Sequence, residues 1–298
     1  MGPESRPAGA EASIAEAVRP ESVKSVLRRE QVLYGSRRYG QALGLLDAVL
    51  ARADLTAHQR FEALTRKAAC LEQLRRPAQA LTVIRQTART YRDDPLAHSL
   101  LGEYLYRVAG DSRGALRALG RALKLDPKDP DTHWWMGQVH QLGLNRPARA
   151  RRSYLAAMDA DQRYAPAMNS LAELAELGGR FIEAIDWTKA HCRVTRSSGD
   201  LTVLADLYVR LGNANAAVKY GRLAVRRDVR SARAWLALTR ALAGAGRPRA
   251  SANALSRFAA LANPRSGPFL SGADLARLEE VLDLPCMRGM RERLPVTQ

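Results

Sequence analysis

Seven small residues recur along this chain at nearly constant spacing: Ala42, Ala80, Ala115, Ala150, Ala184, Ala217 and Ser251. The intervals between them are 38, 35, 35, 34, 33 and 34 residues. A period near 34 is the signature of helical hairpins that bury their apolar faces only by stacking on their neighbours. Four and seven residues after each small residue stand mostly apolar side chains: Leu46 and Val49, Ile84 and Thr87, Leu119 and Ala122, Tyr154 and Ala157. The later units continue with Thr188 and His191, Gly221 and Ala224, Leu255 and Phe258. This spacing places all three positions on one helix face, directed at a core. Twelve or thirteen residues upstream lies a second small residue, Ala68, Gly102, Gly137, Ala172 and Ala205, with the larger Thr239 in the last unit. Two helices joined by a tight turn can approach closely there. Pro77, Pro147 and Pro248 stand three residues before their markers, where a first-turn proline loses no needed N–H.

One unit, residues 95–127, carries the pattern most fully, with Leu101-Gly102, Ala115 and a closing run from Ala122 to Pro127. The next has Met136-Gly137, Ala150, Tyr154 and Ala157, and the fifth has Leu171-Ala172, Phe181 and Ala184. Over residues 22–264 these features resemble the tetratricopeptide-repeat (TPR) family. The resemblance implies an all-α, right-handed superhelical solenoid of about seven helix-turn-helix repeats. Two residues depart from the pattern: Glu30 stands where the first unit should carry its small residue, and Gly221 replaces a bulky one. Composition agrees, with 6% aromatic residues and abundant Ala, Leu, Arg and Glu, which favour helix.

The ends differ in kind. Residues 1–20 read as a flexible leader, without the apolar stretch of a signal peptide, and the array is expected over 21–264. Residues 265–298 read as a linker, a capping helix and a basic tail. The Pro-, Gly- and Ser-rich stretch begins at residue 263, and Ser271 and Asp274 form a helix-start signal. Leu275, Leu278, Val281 and Leu282 then make an apolar stripe over residues 272–284, suited to covering the open face of the last repeat. A docking helix for a partner is the other reading of that segment.

Catalytic and metal signals are weak. Cys70, Cys192 and Cys286 lie far apart with no C-x-x-C pair, which fits a reducing, cytoplasmic setting better than a disulfide framework or a structural zinc site. His133 and His140 flank Trp134 and Trp135, but two turns of helix, about 10 Å of rise, separate them too far for one metal. No phosphate-binding loop, nucleophile elbow or H-E-x-x-H motif is present. The expectation is a protein without catalytic residues, cofactor or metal. No apolar run has the length of a membrane span.

Function is therefore sought on the surface. In the family it resembles, the first helix of each hairpin lines a concave groove. The groove row should fall three before, one after and four after the small residue of that helix. It reads Leu27, Gln31, Tyr34; Thr65, Ala69, Glu72; Ser99, Glu103, Tyr106; Trp134, Gln138, Gln141. It continues with Asn169, Glu173, Glu176; Thr202, Asp206, Val209; Leu236, Arg240, Ala243. Five carboxylates and one cation occupy this row in a chain of net charge +17. The expectation is a solvated groove in which Tyr34, Glu72, Glu103, Tyr106, Trp134, Gln138, Asn169, Glu173, Glu176, Asp206 and Arg240 hold a basic or amphipathic segment of a partner protein. The protein would then be an adaptor or scaffold. The paired Asn and Lys of the family members that grip acidic tails are missing. The alternative uses the second helices, where Arg117, Arg121, Arg152, Arg222, Arg226 and Arg227 form a basic face suited to nucleic acid or an anionic surface. Without interleaved aromatics for base stacking, that alternative is not favoured.

Overall fold

A computed structural model of the chain describes residues 22–261, together with residues 276, 279, 282 and 283. Fourteen helices and no strand occur among the described residues, paired into seven hairpins. They divide into two compact units that meet in sequence at Pro127 and Lys128. The N-terminal unit holds three hairpins: α1 (Val23–Gly35) with α2 (Tyr39–Leu50), α3 (Ala57–Gln73) with α4 (Pro77–Thr90), and α5 (Pro95–Arg107) with α6 (Ser112–Leu125). The C-terminal unit holds four. These are α7 (Pro130–Gln138) with α8 (Pro147–Ala160), α9 (Ala165–Leu177) with α10 (Phe181–Thr195), α11 (Ser198–Arg210) with α12 (Ala214–Arg227), and α13 (Ala232–Gly244) with α14 (Pro248–Leu261). The fold is an all-α solenoid of stacked hairpins. The leader, the linker, the tail with Cys286 and most of the expected cap lie outside the described residues. Of the cap stripe only Leu282 is described, and it is buried.

Helix starts are written locally. Ser22, Thr56, Asp94, Asp111, Asp129, Ser197, Asn213 and Ser231 each accept a hydrogen bond from a backbone N–H of the first turn. Such a cap is worth about 1 kcal/mol. Thr56 and Gln59 complete a reciprocal capping box. Pro95 and Pro130 follow two of these caps, and Pro77 and Pro147 occupy the opening turn of helices without one.

Every hairpin turn contains one residue in the left-handed region: Arg37, Arg75, Gly110, Asn145, Gly179, Gly212 and Gly246, at φ from 49° to 77°. Each stands five residues before its buried marker, so turns and markers share one period. The backbone N–H of the next residue closes the turn on a carbonyl of the first helix, as in Arg38 to Leu33 at 2.9 Å and Arg247 to Leu242 at 3.0 Å. In the third and fourth hairpins the closing bond reaches one residue further back, Asp111 to Leu105 and Arg146 to His140. This is the thirteenth residue in the spacing of those two units. In the fourth unit the extra residue is absorbed by a π-helical turn, Val139–Gly143, continuing from α7. Such turns are how a helix accepts an insertion. His140 lies in it, buried, with Nδ1 making no hydrogen bond.

All seven markers are fully buried, at 0% exposure. The facing small residues explain how closely the helices pack. A Cβ on Gly102 would meet Leu119 Cγ at 2.5 Å, and one on Gly137 would meet the Tyr154 ring at 2.3 Å. Gly221 has the same logic one interface later: its missing side chain lets α12 approach the Leu238 backbone on α13, where a Cβ would sit 3.1 Å from Cα. Glu30 is accommodated differently. It is 2% exposed, pairs with Arg66 at 2.8 Å, and lies 3.8 Å from the Cys70 thiol. Burial and this carboxylate push the Cys70 thiol up to about 12, so it stays protonated in the core.

Candidate partner-binding face

The first helices of each unit carry the expected row. In the N-terminal unit, Arg107 bridges the two carboxylates of adjacent hairpins, Glu72 and Glu103, the latter at 2.5 Å. These three side chains keep 26%, 18% and 37% exposure for Glu72, Glu103 and Arg107. Arg66 likewise serves two carboxylates, Glu30 at 2.8 Å and Glu62 at 2.7 Å, and also donates to the Leu27 carbonyl. Each guanidinium therefore answers two carboxylates, and the face keeps a negative surplus. At the Arg66 cluster a cleft of 330 Å³ is lined by Glu30, Gln31, Tyr34, Arg66 and Ala69. Tyr34 is half-buried and packs edge-on against Tyr39, 5.1 Å between centroids. Its phenol is raised above its ordinary range by burial first and then by Cys70, Tyr39 and Glu72. Tyr106, also half-buried, is raised by burial.

In the C-terminal unit the row holds both a sealed ion pair and open polar groups. Asp206 pairs with Arg240 at 2.5 Å, and each side chain is only 10% exposed. Glu176 pairs with Arg210 at 2.7 Å, while the Arg210 guanidinium lies over the Phe181 ring, 5.1 Å from its centroid. Glu173 and Asn169 are both exposed, and the Asn169 amide donates to the Glu173 carboxylate at 2.8 Å. The Trp134 ring packs against the cluster of Ala150, Tyr154, Ala157, Ala167, Leu171 and Leu174. Its indole N–H donates to Ser170 Oγ at 3.0 Å, and Gln138 donates to the same oxygen at 3.1 Å.

The expectation of a solvated row is corrected at four positions. Leu27, Ser99, Asp206 and Leu236 are buried: Leu27 packs in a cluster with Ala63 and Cys70 of the second hairpin, and Asp206 is covered beside Arg240 of the seventh. Asp206 and Arg240 are thus a sealed link between adjacent hairpins, and Trp134 is engaged in the stack as well as bordering the face. The other row members are exposed or half-exposed, among them Gln31, Tyr34, Glu72, Glu103 and Tyr106 in one unit, and Gln138, Asn169, Glu173 and Glu176 in the other. Arg66, Arg107 and Arg210 were missed. Each sits beside the row, and its carboxylate lies 34 to 36 residues away in Glu30, Glu72 and Glu176. Carboxylates and guanidiniums separated by one repeat length are the signal that finds them. On the second helices, Arg117, Arg121, Arg152, Arg222, Arg226 and Arg227 are all exposed.

Sequence-family comparison agrees with this architecture. Residues 31–95 and 139–200 match the tetratricopeptide repeat model, and residues 104–143 match a second TPR repeat model. The chain belongs to the tetratricopeptide-repeat family. No curated protein matches it in sequence. Among solved structures it is similar to PilW, a widely conserved type IV pilus biogenesis factor, at 17% identity and a TM-score of 0.58, covering 71% of this chain and 95% of that one. It is also similar to a tetratricopeptide repeat protein from Parabacteroides merdae, at 12% identity and a TM-score of 0.56, covering 88% of this chain and 99% of that one. A thermophilic TPR protein from Thermus thermophilus gives 24% identity and a TM-score of 0.51, covering 65% of this chain and 98% of that one. These likenesses concern the fold. The family works chiefly through protein–protein contacts. No described helix is long and apolar enough to cross a membrane, and no group of three metal-ligating side chains occurs among the described residues.

Proposed function

We propose that this protein is a non-enzymatic adaptor that holds a basic or amphipathic segment of a partner against the first-helix face, chiefly in the N-terminal unit. The observation that carries this reading is the coincidence of an open cleft beside Tyr34 with carboxylates that outnumber the guanidiniums answering them. A Lys or Arg side chain meets residual negative charge there, and an apolar neighbour finds the Tyr34 and Ala69 surface. Aromatic and polar groups side by side suit the capture of a peptide or helix. In the C-terminal unit, Asn169, Glu173 and Glu176 extend the same chemistry. The buried, protonated Cys70 fits a reducing, cytoplasmic setting.

A random-peptide display selection against the full chain tests this. Enrichment of Lys- or Arg-bearing peptides with apolar neighbours supports the reading. Enrichment of acidic peptides, or none above a bare-surface control, counts against it.

A further inference from the structure

The N-terminal unit has a second cleft on a different set of residues. It encloses 470 Å³ and is lined by Arg85, Arg89, Arg92, Arg121, His98, Ala88, Leu101 and Leu105. Four exposed arginines line it, and no carboxylate does. Among the described residues none of the four makes an ion pair. This contrasts with Arg66 and Arg107 in the same unit, each held by two carboxylates. Arg85 and Arg89 lie four apart on α4, a spacing at which like charges repel. Arg121 approaches from α6, and Arg92 from the link before α5. The link is held in place: His98, 6% exposed, donates from Nε2 to the Arg92 carbonyl at 2.8 Å, and the Arg92 side chain donates to the Arg89 carbonyl at 3.1 Å. Buried Ala88 and Leu105, with half-buried Leu101, supply an apolar wall.

We propose that this cleft binds a compact polyanion carrying linked phosphate groups, with the apolar wall receiving any uncharged body attached to them. Guanidinium forks match phosphate oxygens in paired hydrogen bonds. Several phosphates in one ligand neutralise the four cations together, which a single carboxylate does not. The volume lies in the range of small-ligand sites and is too small for a folded acidic partner. This site is independent of the first-helix face, whose residues it does not share.

Titration calorimetry on the full chain, with sodium tripolyphosphate as the probe, tests the site. Saturation at one equivalent per chain is expected, with binding weakened about tenfold or more in Arg89→Gln/Arg121→Gln, the scale for losing charge-assisted hydrogen bonds. Arg226→Gln/Arg227→Gln, on α12 of the other unit, serves as the control for diffuse charge and should bind as the parent does. Circular dichroism melts of both variants check that each remains folded, and Arg85→Gln supplies a third variant should the first pair melt early. A nucleoside triphosphate arm reads the apolar wall: tighter binding than tripolyphosphate assigns it to the uncharged body, and equal binding overturns that part of the proposal. Absence of saturation, or equal loss in the control and in the Arg89/Arg121 variant, overturns the site itself.

Discussion

Glu72 and Glu103 in the N-terminal unit share one partner, Arg107, and all three side chains remain open to solvent. Asp206 and Arg240 in the C-terminal unit hold one another at 2.5 Å with each side chain 10% exposed. The same row on the same kind of helix thus yields a charged cluster at one place and an inter-hairpin lock at another. Stacking decides which. A carboxylate that the next hairpin covers must be paired, since an unpaired buried charge is costly. One that stays open keeps its charge available to a partner.

Three paired comparisons and one pH dependence break or sharpen this contrast, beginning with the largest expected effect. Trp134→Ala should lower the stability of the folded chain by about 3 kcal/mol, the lower end for aromatic truncations, because the half-buried ring packs on a buried cluster and its indole N–H is bonded to Ser170. Tyr106→Ala, of similar exposure but outside the buried clusters, should cost clearly less in the same urea titration. Equal losses would mean that Trp134 is no more part of the stack than Tyr106. Arg240→Ala leaves Asp206 buried without its cation and should cost about 3 kcal/mol, whereas Glu72→Gln at the open cluster should stay within about 1 kcal/mol. If denaturant midpoints show the two variants alike, the sealed-versus-open distinction fails. Gly137→Ala drives a methyl into the fully buried Tyr154 ring and should cost about 1–3 kcal/mol. Gly102→Ala meets the more adaptable Leu119 and should cost less, which thermal melts of the two variants will compare.

The smallest effect is a pH dependence. Burial, then Arg149, Arg146 and Arg152, lower the His140 pKa below its usual 6.5. The unfolded chain therefore binds that proton more tightly. Its contribution to stability is complete above the ordinary histidine value and is lost as the pH falls from there through the lowered folded value. In His140→Met this part of the acid loss should vanish from melting curves recorded between neutral and mildly acidic pH. An unchanged slope would remove His140 as its source.

Much of the fold was legible because its signals are local and periodic. The markers Ala42 to Ser251, their partners four and seven residues on, and the opening prolines each report on a helix face or a helix start. The turn residues were less legible. Gly110, Gly179, Gly212 and Gly246 carry the signal, but Arg37, Arg75 and Asn145 adopt the same left-handed backbone without the residue that usually announces it. The thirteenth residue in the fourth unit was visible as a spacing, yet its conversion into a π-helical turn depends on where Arg146 closes on His140. The candidate face was legible in position and not in state. Whether Asp206 is open or sealed depends on Arg240, which comes alongside only when one hairpin stacks on the next.

The most direct test of the adaptor account is the affinity of a basic peptide enriched in the display selection, measured by fluorescence anisotropy against the parent chain and two variants. Glu72→Gln/Glu103→Gln should weaken it by roughly three- to tenfold, the scale of losing close charge pairs at a partly exposed interface. Arg226→Glu/Arg227→Glu should leave it unchanged within twofold, roughly the spread expected for surface changes remote from a site. Binding that ignores the Glu72/Glu103 pair and responds only to Arg226 and Arg227 would contradict the account.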